Sequence, residues 1–256
     1  MNGLSGFLSN ESAFGRLMTR LGIIIACNVL FALSTVPLVT IGAGWTAMHF
    51  ALMRTLRGDG VINPFVEFWK GFKSNFKQAT LCWLVILVLA GVLGLEWYWC
   101  GQFGGVFLTL RLGLVMIGAC VVIIGLYLFP TMAAFKGSIP DLIKDSIYFA
   151  FKKPLSLLVI LFFNIFPMYL TLSDLQMLPL YAFIWCFFGF GAIGLLNASL
   201  MLKQFIPYLP PVDACGDFIL DPEDEARWAD HPELSAGSAP EKSEAEILEE
   251  MKKLGM

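Results

Sequence analysis

Three long tracts of this chain are almost free of charge: residues 21–53 carry none, residues 78–135 carry only Glu96 and Arg111, and residues 154–202 carry only Asp174. Between them the basic residues gather at Arg16 and Arg20, across residues 54–77, across residues 136–153, and at Lys203. A membrane helix needs about 20 apolar residues to cross about 30 Å of hydrocarbon, so each tract is long enough to enter a bilayer and return. The basic clusters then fall on one side, which the positive-inside rule makes the cytoplasm.

The pattern within each tract predicts the helices. Residues 80–98 and 106–129 read as two spans around a turn at residues 100–105, with Pro130 near the inner end of the second. Residues 155–170 and 180–201 read as two more around residues 171–176. Both turns lack Lys and Arg, which suits an outer face. Residues 21–53 are just under two minimal spans of about 17 residues each, and Pro37, Gly42 and Gly44 mark a break in the middle. They predict a helix over 14–36, a turn over 36–42 and a helix over 43–57. The rival is one long kinked span, which gives five spans and sets Arg16 and Arg20 outside, against the charge rule. The expected fold is therefore all-α: a polytopic membrane helical bundle of about six transmembrane helices, five in the rival reading, with both termini cytoplasmic.

Two basic intervals carry amphipathic patterns. Phe65, Phe68, Trp69, Phe72 and Phe76 recur at helical spacing, and Glu67, Lys70, Lys73, Ser74 and Lys77 fall mostly on the other side. A second segment runs from Pro140, acceptable at a helix start, through Leu142, Ile143, Ile147 and Ala150 to Lys152 and Lys153. Both predict cytoplasmic interfacial helices lying flat on the inner leaflet. A shift of 74 residues aligns Glu67 with Asp141, Lys70 with Lys144, Leu81 with Leu155, and residues 84–87 with 158–161, both Leu-Val-Ile-Leu. Such a match suggests a duplicated unit, common in membrane proteins.

Composition agrees. Hydrophobic residues make up 57% and charged residues 14% of the 256, with a mean hydropathy of +0.74, whereas roughly a quarter of a soluble domain is charged. The net charge of −3 hides two halves: residues 1–203 hold 13 basic and 7 acidic residues, and residues 204–256 hold 4 and 13. The chain thus divides into a transmembrane helical domain, 1–203, and an acidic cytoplasmic tail, 204–256. In the tail, residues 243–254 predict a short helix, with Ser243 and Glu246 at capping-box spacing. No basic residue precedes Arg16, so the charged start of a secretory signal is missing and the first apolar segment is expected to stay as a membrane helix. Six cysteines without a C-x-x-C pair and only two histidines predict neither a disulfide framework nor a metal site. No P-loop, H-E-x-x-H or glycine-rich phosphate fingerprint is present. The expectation is a protein that is not an enzyme and uses no cofactor.

Polar residues in the apolar tracts are candidates because an unpaired ionisable group at membrane depth costs at least about 2.5 kcal/mol. His49 suits a polar ligand, or a packed neutral ring satisfied by a neighbouring hydroxyl. Asn28, Asn164 and Asn197 could line a hydrophilic path, or make interhelical bonds worth about 0.6 kcal/mol each. Glu96 and Arg111 flank the outer turn on adjacent helices and predict an ion pair, with separate snorkelling or an external ligand site as alternatives. On the inner side, Arg54, Arg57, Lys70, Lys73 and Lys77, with Phe68, Trp69, Phe72 and Phe76, predict contact with anionic lipid, each charge worth about 1 kcal/mol, or a docking surface for a protein partner. Basic groups at the membrane plane without a binding motif argue against nucleic acid.

The sequence Pro37-Leu-Val-Thr-Ile-Gly42 followed by Trp45-Thr46, the exit Arg54-Thr-Leu-Arg-Gly58, and residues 68–80 from Phe68-Trp-Lys-Gly to Ala79-Thr80 resemble the YesL family of bacterial integral membrane proteins. The resemblance implies a multi-pass protein of the bacterial plasma membrane, often encoded near carbohydrate uptake and polysaccharide-utilisation systems. It also implies an accessory or assembly role beside a carbohydrate ABC importer, whose subunits would be partners. It transfers no catalytic or ligand residue, and the acidic tail is longer than is usual in the family. Two other roles stay open: a small transporter or channel in its own right, favoured by the duplication and the intramembrane polar residues, and an envelope-sensing scaffold acting through the tail.

Overall fold

The structure, a computed structural model, describes residues 13–57, 63–102, 106–209 and 251–252. Among the described residues there is no strand, and nearly all are helical. The helices are α1 (Ala13–Ser34), α2 (Ile41–Arg57), α3 (Pro64–Gln102), α4 (Val106–Ala134), α5 (Ile139–Lys152), α6 (Pro154–Ser173), α7 (Leu178–Ile184) and α8 (Phe190–Phe205). A π-helical turn, Trp185–Gly189, joins α7 to α8. Four stretches are long and apolar enough to cross a membrane: Pro64–Gln102, Thr109–Ala134, Pro154–Ser173 and Leu178–Tyr208. The chain thus forms the all-α membrane helical bundle its pattern predicts. The acidic tail and its expected helix lie outside the described residues beyond Leu209, apart from Met251 and Lys252; Met251 is helical and packs against the core.

The first apolar tract forms two helices and not one kinked span. Pro37 cannot extend α1 and biases the residue before it away from helical geometry, so α1 stops at Ser34 and a short 3₁₀ turn, Leu38–Thr40, leads into α2. The Thr40 hydroxyl lies within hydrogen-bond reach of the carbonyls of Ser34 and Pro37, tying the turn together. Twelve of the 17 residues of α2 are buried, which makes it the central helix, apolar nearly all round. Its glycines and alanines let neighbours approach at backbone distance. A Cβ added to Gly42 would lie 2.6 Å from Trp83 Cβ and 2.7 Å from the Ala79 carbonyl oxygen. Opposite α2, a Cβ on Gly71 of α3 would lie 2.8 Å from Phe50 Cβ, and one on Gly194 of α8 2.6 Å from Met48 Cε.

The Phe-rich segment is helical as expected, but it is not a separate element. It is the first part of α3, which runs for 39 residues without interruption. The second amphipathic segment, α5, does end, at Lys152, and α6 begins at Pro154. In the 74-residue register Pro154 corresponds to Thr80. Threonine carries a helix forward, whereas proline removes an N–H, clashes with the preceding turn and turns the residue before it extended; Lys153 has φ −133° and ψ 85°. One residue type therefore accounts for one continuous helix and one broken pair.

The core gathers at the end of the bundle where the basic residues lie. Phe135 stacks on Phe149 at 5.7 Å, and Phe149 meets Phe205 at 4.6 Å and Tyr208 at 5.6 Å. Through Leu142, Ser146, Phe149 and Ala150, α5 buries one face against this cluster, and Lys152 Nζ donates to the Tyr208 hydroxyl at 2.6 Å. The other ends of α3 and α4 are clad in exposed apolar side chains such as Val88, Leu95, Leu112 and Met116. A Cβ on Gly91, Gly94, Gly113 or Gly118 would meet nothing within 4 Å. A water-soluble domain does not leave so large an apolar surface uncovered; lipid covers it.

Candidate functional site

The inner end of α2 carries Arg54 and Arg57, one helical turn apart, so both point to the same side. Running antiparallel, α3 brings Glu67, Lys70 and Ser74 opposite them. Arg54 Nη1 pairs with Glu67 at 3.0 Å, and the two side chains are only 12% and 13% exposed. Arg57 is 6% exposed. The loop after α4 adds Lys136, and Leu202 and Leu209 close the far wall. Arg54, Arg57, Lys70, Ser74, Lys136, Leu202 and Leu209 line a cavity of about 270 Å³ whose remaining walls are Phe50, Met53, Ala133 and Ala134. Its lining is part cationic and part apolar.

On the outer flank of the same helix, Trp69 stacks on Phe72 at 5.6 Å with an interplanar angle of 5°, and Phe72 meets Phe76 at 5.3 Å. Lys73 Nζ lies 5.2 Å from the Trp69 ring, a cation–π contact. Trp69 and Phe76 are exposed, as are Lys73 and Lys77, whereas Phe68 is buried against the core. Sequence periodicity put all five aromatics on one face. In the structure Phe68 and Gly71 face α2, and Trp69, Phe72 and Phe76 form a stripe beside them that carries the lysines with it.

The polar residues of the apolar tracts are engaged in packing within and between helices and do not line up as a path. Asn28 Nδ2 donates to the carbonyls of Trp185 at 3.0 Å and Cys186 at 2.5 Å, and its Oδ1 accepts from the Gly191 N–H at 2.6 Å. A π-helical turn takes the ladder out of register and leaves backbone groups for which lipid offers no partner; Asn28 supplies them. Asn164 and Asn197 exchange amide bonds at 3.1 and 3.3 Å and so pin α6 to α8. His49 is wholly buried. Its Nδ1 lies 2.9 Å from the Trp45 carbonyl and its ring 4.9 Å from the Trp45 ring, so the partner is a backbone carbonyl and not the hydroxyl expected. Its Nε2 has no partner among the described residues.

At the other end of the bundle Arg111 turns to Trp97. It donates to the Trp97 carbonyl at 3.2 Å and stacks 4.6 Å from the Trp97 ring. No ion pair joins it to Glu96 among the described residues; Glu96 is exposed. The indole offers both a π face and a carbonyl in one place, where a pair with Glu96 would hold two long side chains for little gain at an exposed site.

Three features carry little or no mark in the sequence. Lys136 enters the pocket from 66 residues beyond Lys70, a distance no local spacing reveals. The Tyr127 hydroxyl faces the Gln204 amide, both buried, though Gln204 follows Lys203 and reads as part of the charged end. The π turn has only its glycines, Gly189 and Gly191, as a signal: a Cβ on Gly191 would lie 2.8 Å from the Ile24 carbonyl oxygen. Among the described residues no group of three or more His, Cys, Asp or Glu side chains could hold a metal.

No curated protein and no solved structure matches the chain. A family model, described as a protein of unknown function, DUF624, matches residues 24–97. The matched segment contains the α1–α2 turn, the central helix and most of α3, and with them Arg54, Arg57, Glu67 and Lys70. Over that segment the chain is similar to the DUF624 family.

Proposed function

We propose that this chain is a YesL-like, multi-pass protein of the bacterial plasma membrane that catalyses no reaction and serves as an accessory or assembly partner of a carbohydrate ABC import system. The long apolar helices α3, α4, α6 and the joined α7–α8 are even in number, which is consistent with both termini on the basic, cytoplasmic side. The observation that carries the reading is the stacked stripe of Trp69, Phe72 and Phe76, exposed at Trp69 and Phe76 and flanked by Lys73 and Lys77. Aromatic anchors beside fixed charges are the composition of interface hot spots, and this stripe lies next to the basic pocket. The resemblance of residues 36–83 supplies the class of partner.

A transporter acting alone draws less support. Asn28, Asn164 and Asn197 are engaged in helix packing, and the acidic residues of the uncharged tracts, Glu96 and Asp174, are exposed. Purification of the full chain from its native membrane in mild detergent, followed by mass spectrometry, tests the reading. Importer subunits should co-purify, and Trp69→Ala with Phe76→Ala should reduce them at least fivefold. Recovery of the protein alone sinks it, and sugar flux through liposomes holding only this protein would favour transport.

A further inference from the structure

The chain returns to the bundle near its C-terminus. Met251 is helical, half-buried and packed against the core, and Lys252 beside it is helical and exposed. A helix of about 12 residues is marginal alone in water and gains most of its stability from a surface that buries one face, so helical residues here imply such a surface beneath them. Ile247, Leu248, Met251 and Leu254 recur at the spacing of one helix face, and Glu246 and Glu250, four apart, follow one edge of it. The core that Met251 meets comes to the surface of the basic end at the cavity. Met53, Leu202 and Leu209 belong to that core and also line the cavity, as does Ala134, which packs against the core. Leu209, where the tail departs, is thus itself part of the wall. The same lining holds Arg54, Arg57, Lys70 and Lys136, and residues 204–256, with 13 acidic and 4 basic residues, bring the opposite charge. The 41 residues from 210 to 250 reach roughly 3.3 Å each when extended, so length does not restrict the return, and a tether keeps a segment near its own site at high effective concentration.

We infer that the C-terminal segment, residues 243–254, docks in cis at this cavity: Met251 and the apolar residues that share its face seat on Met53, Leu202 and Leu209, and the carboxylates along its edge face the basic part of the lining. The chain itself is then the first occupant of this surface, and an outside protein that needs the basic end must displace it. The inference is independent of the importer reading, since its test contains no partner protein.

The full-length protein is purified in neutral detergent with p-benzoylphenylalanine in place of Met251, irradiated, and mapped by peptide mass spectrometry. The photoreactive ketone inserts into C–H bonds of the side chains it touches, so adducts should fall on Met53, Leu202 or Leu209, within single copies of the chain. Glu246→Lys with Glu250→Lys should cut their yield at least threefold, and Lys73→Glu with Lys77→Glu should leave it within twofold. These changes lie in the tail or at exposed positions of α3, so the bundle stays intact. The proposal fails if the adducts fall on Trp69, Phe72 or Phe76, which would make the aromatic stripe the docking site, or if they join two copies, which would make the segment a dimer contact. It fails equally if no adduct forms, or if reversing Lys73 and Lys77 lowers the yield as much as reversing Glu246 and Glu250.

Discussion

The Trp83 indole N–H donates to the Leu38 carbonyl at 2.8 Å, and this bond fixes how far the α1–α2 hairpin rises beside α3. Lys77 and Trp97, the last lysine and the first tryptophan of an aromatic run, are 20 residues apart, about 30 Å along the helix, the thickness of a hydrocarbon layer. Trp83 is six residues above Lys77, about 9 Å. With Lys77 and Trp97 set at the two faces, the hairpin turn, with Val36 and Leu38 exposed, is expected inside the inner half of the layer. Leu38→Cys, in a chain whose six native cysteines are replaced, should resist membrane-impermeant maleimide from outside, and a fluorophore placed there should be quenched by shallow-brominated lipids on the inner side. Ready labelling from outside would mean that the hairpin crosses.

Asn28→Leu should be among the most damaging single changes in the bundle. It leaves the Trp185 and Cys186 carbonyls and the Gly191 N–H without the partner they have now, and each unsatisfied buried group costs about 1–3 kcal/mol. A sharp fall in the thermal midpoint in detergent is the readout. The Asn164 and Asn197 pair should behave differently. Asn164→Leu alone leaves a buried amide facing an apolar neighbour, whereas the double leucine variant removes both partners. The double variant should be less destabilised than the sum of the two singles, a coupling that a thermodynamic cycle measures directly.

Glycines should sort by what lies against them. Gly42→Ala pushes a methyl group into Trp83 and the Ala79 carbonyl, and overpacking of this kind costs about 1–3 kcal/mol. Gly94→Ala enters open space and gains helix propensity of up to about 1 kcal/mol. The first should lower the melting temperature and the second should hold or raise it; equal effects would refute the α2–α3 packing described above.

At the outer end, Glu96→Gln should leave the thermal midpoint unchanged, because Arg111 is held by Trp97. Trp97→Leu removes the π face, a contact worth about 0.5–1 kcal/mol at an exposed site, and should lower the midpoint slightly. A larger effect from Glu96→Gln than from Trp97→Leu would restore the ion pair.

What could be read in the sequence divides along physical lines. Apolar tract length and the spacing of charges located the long helices, since both depend on composition summed over many residues. Pro37 told where the first helix stops, because its effect is local and steric. The continuity of α3 past Lys77 was hidden for the complementary reason: an amphipathic stretch followed by an apolar one suggests two environments, but nothing between Lys77 and Leu81 breaks a backbone. The inner basic cluster was legible on α2 and α3, where Arg54, Arg57 and Lys70 lie close in sequence. Lys136 was not, because only tertiary packing brings it there. Asn28 stood out as a polar residue in an apolar tract, but its role depends on a π turn more than 150 residues away.

The low turn of α1–α2 gives the molecule unequal girth at its two ends. Below Trp83 the central helix, its neighbours and the docked α5 pack as one broad body; above it only the long helices continue. With Lys77 and Trp97 set at the two faces, such a body would displace more lipid from one leaflet than from the other, as a wedge does. Vesicles of mixed diameter would sort it by curvature, and flat membranes would carry an elastic strain that a second wedge, placed in the opposite sense, would relieve.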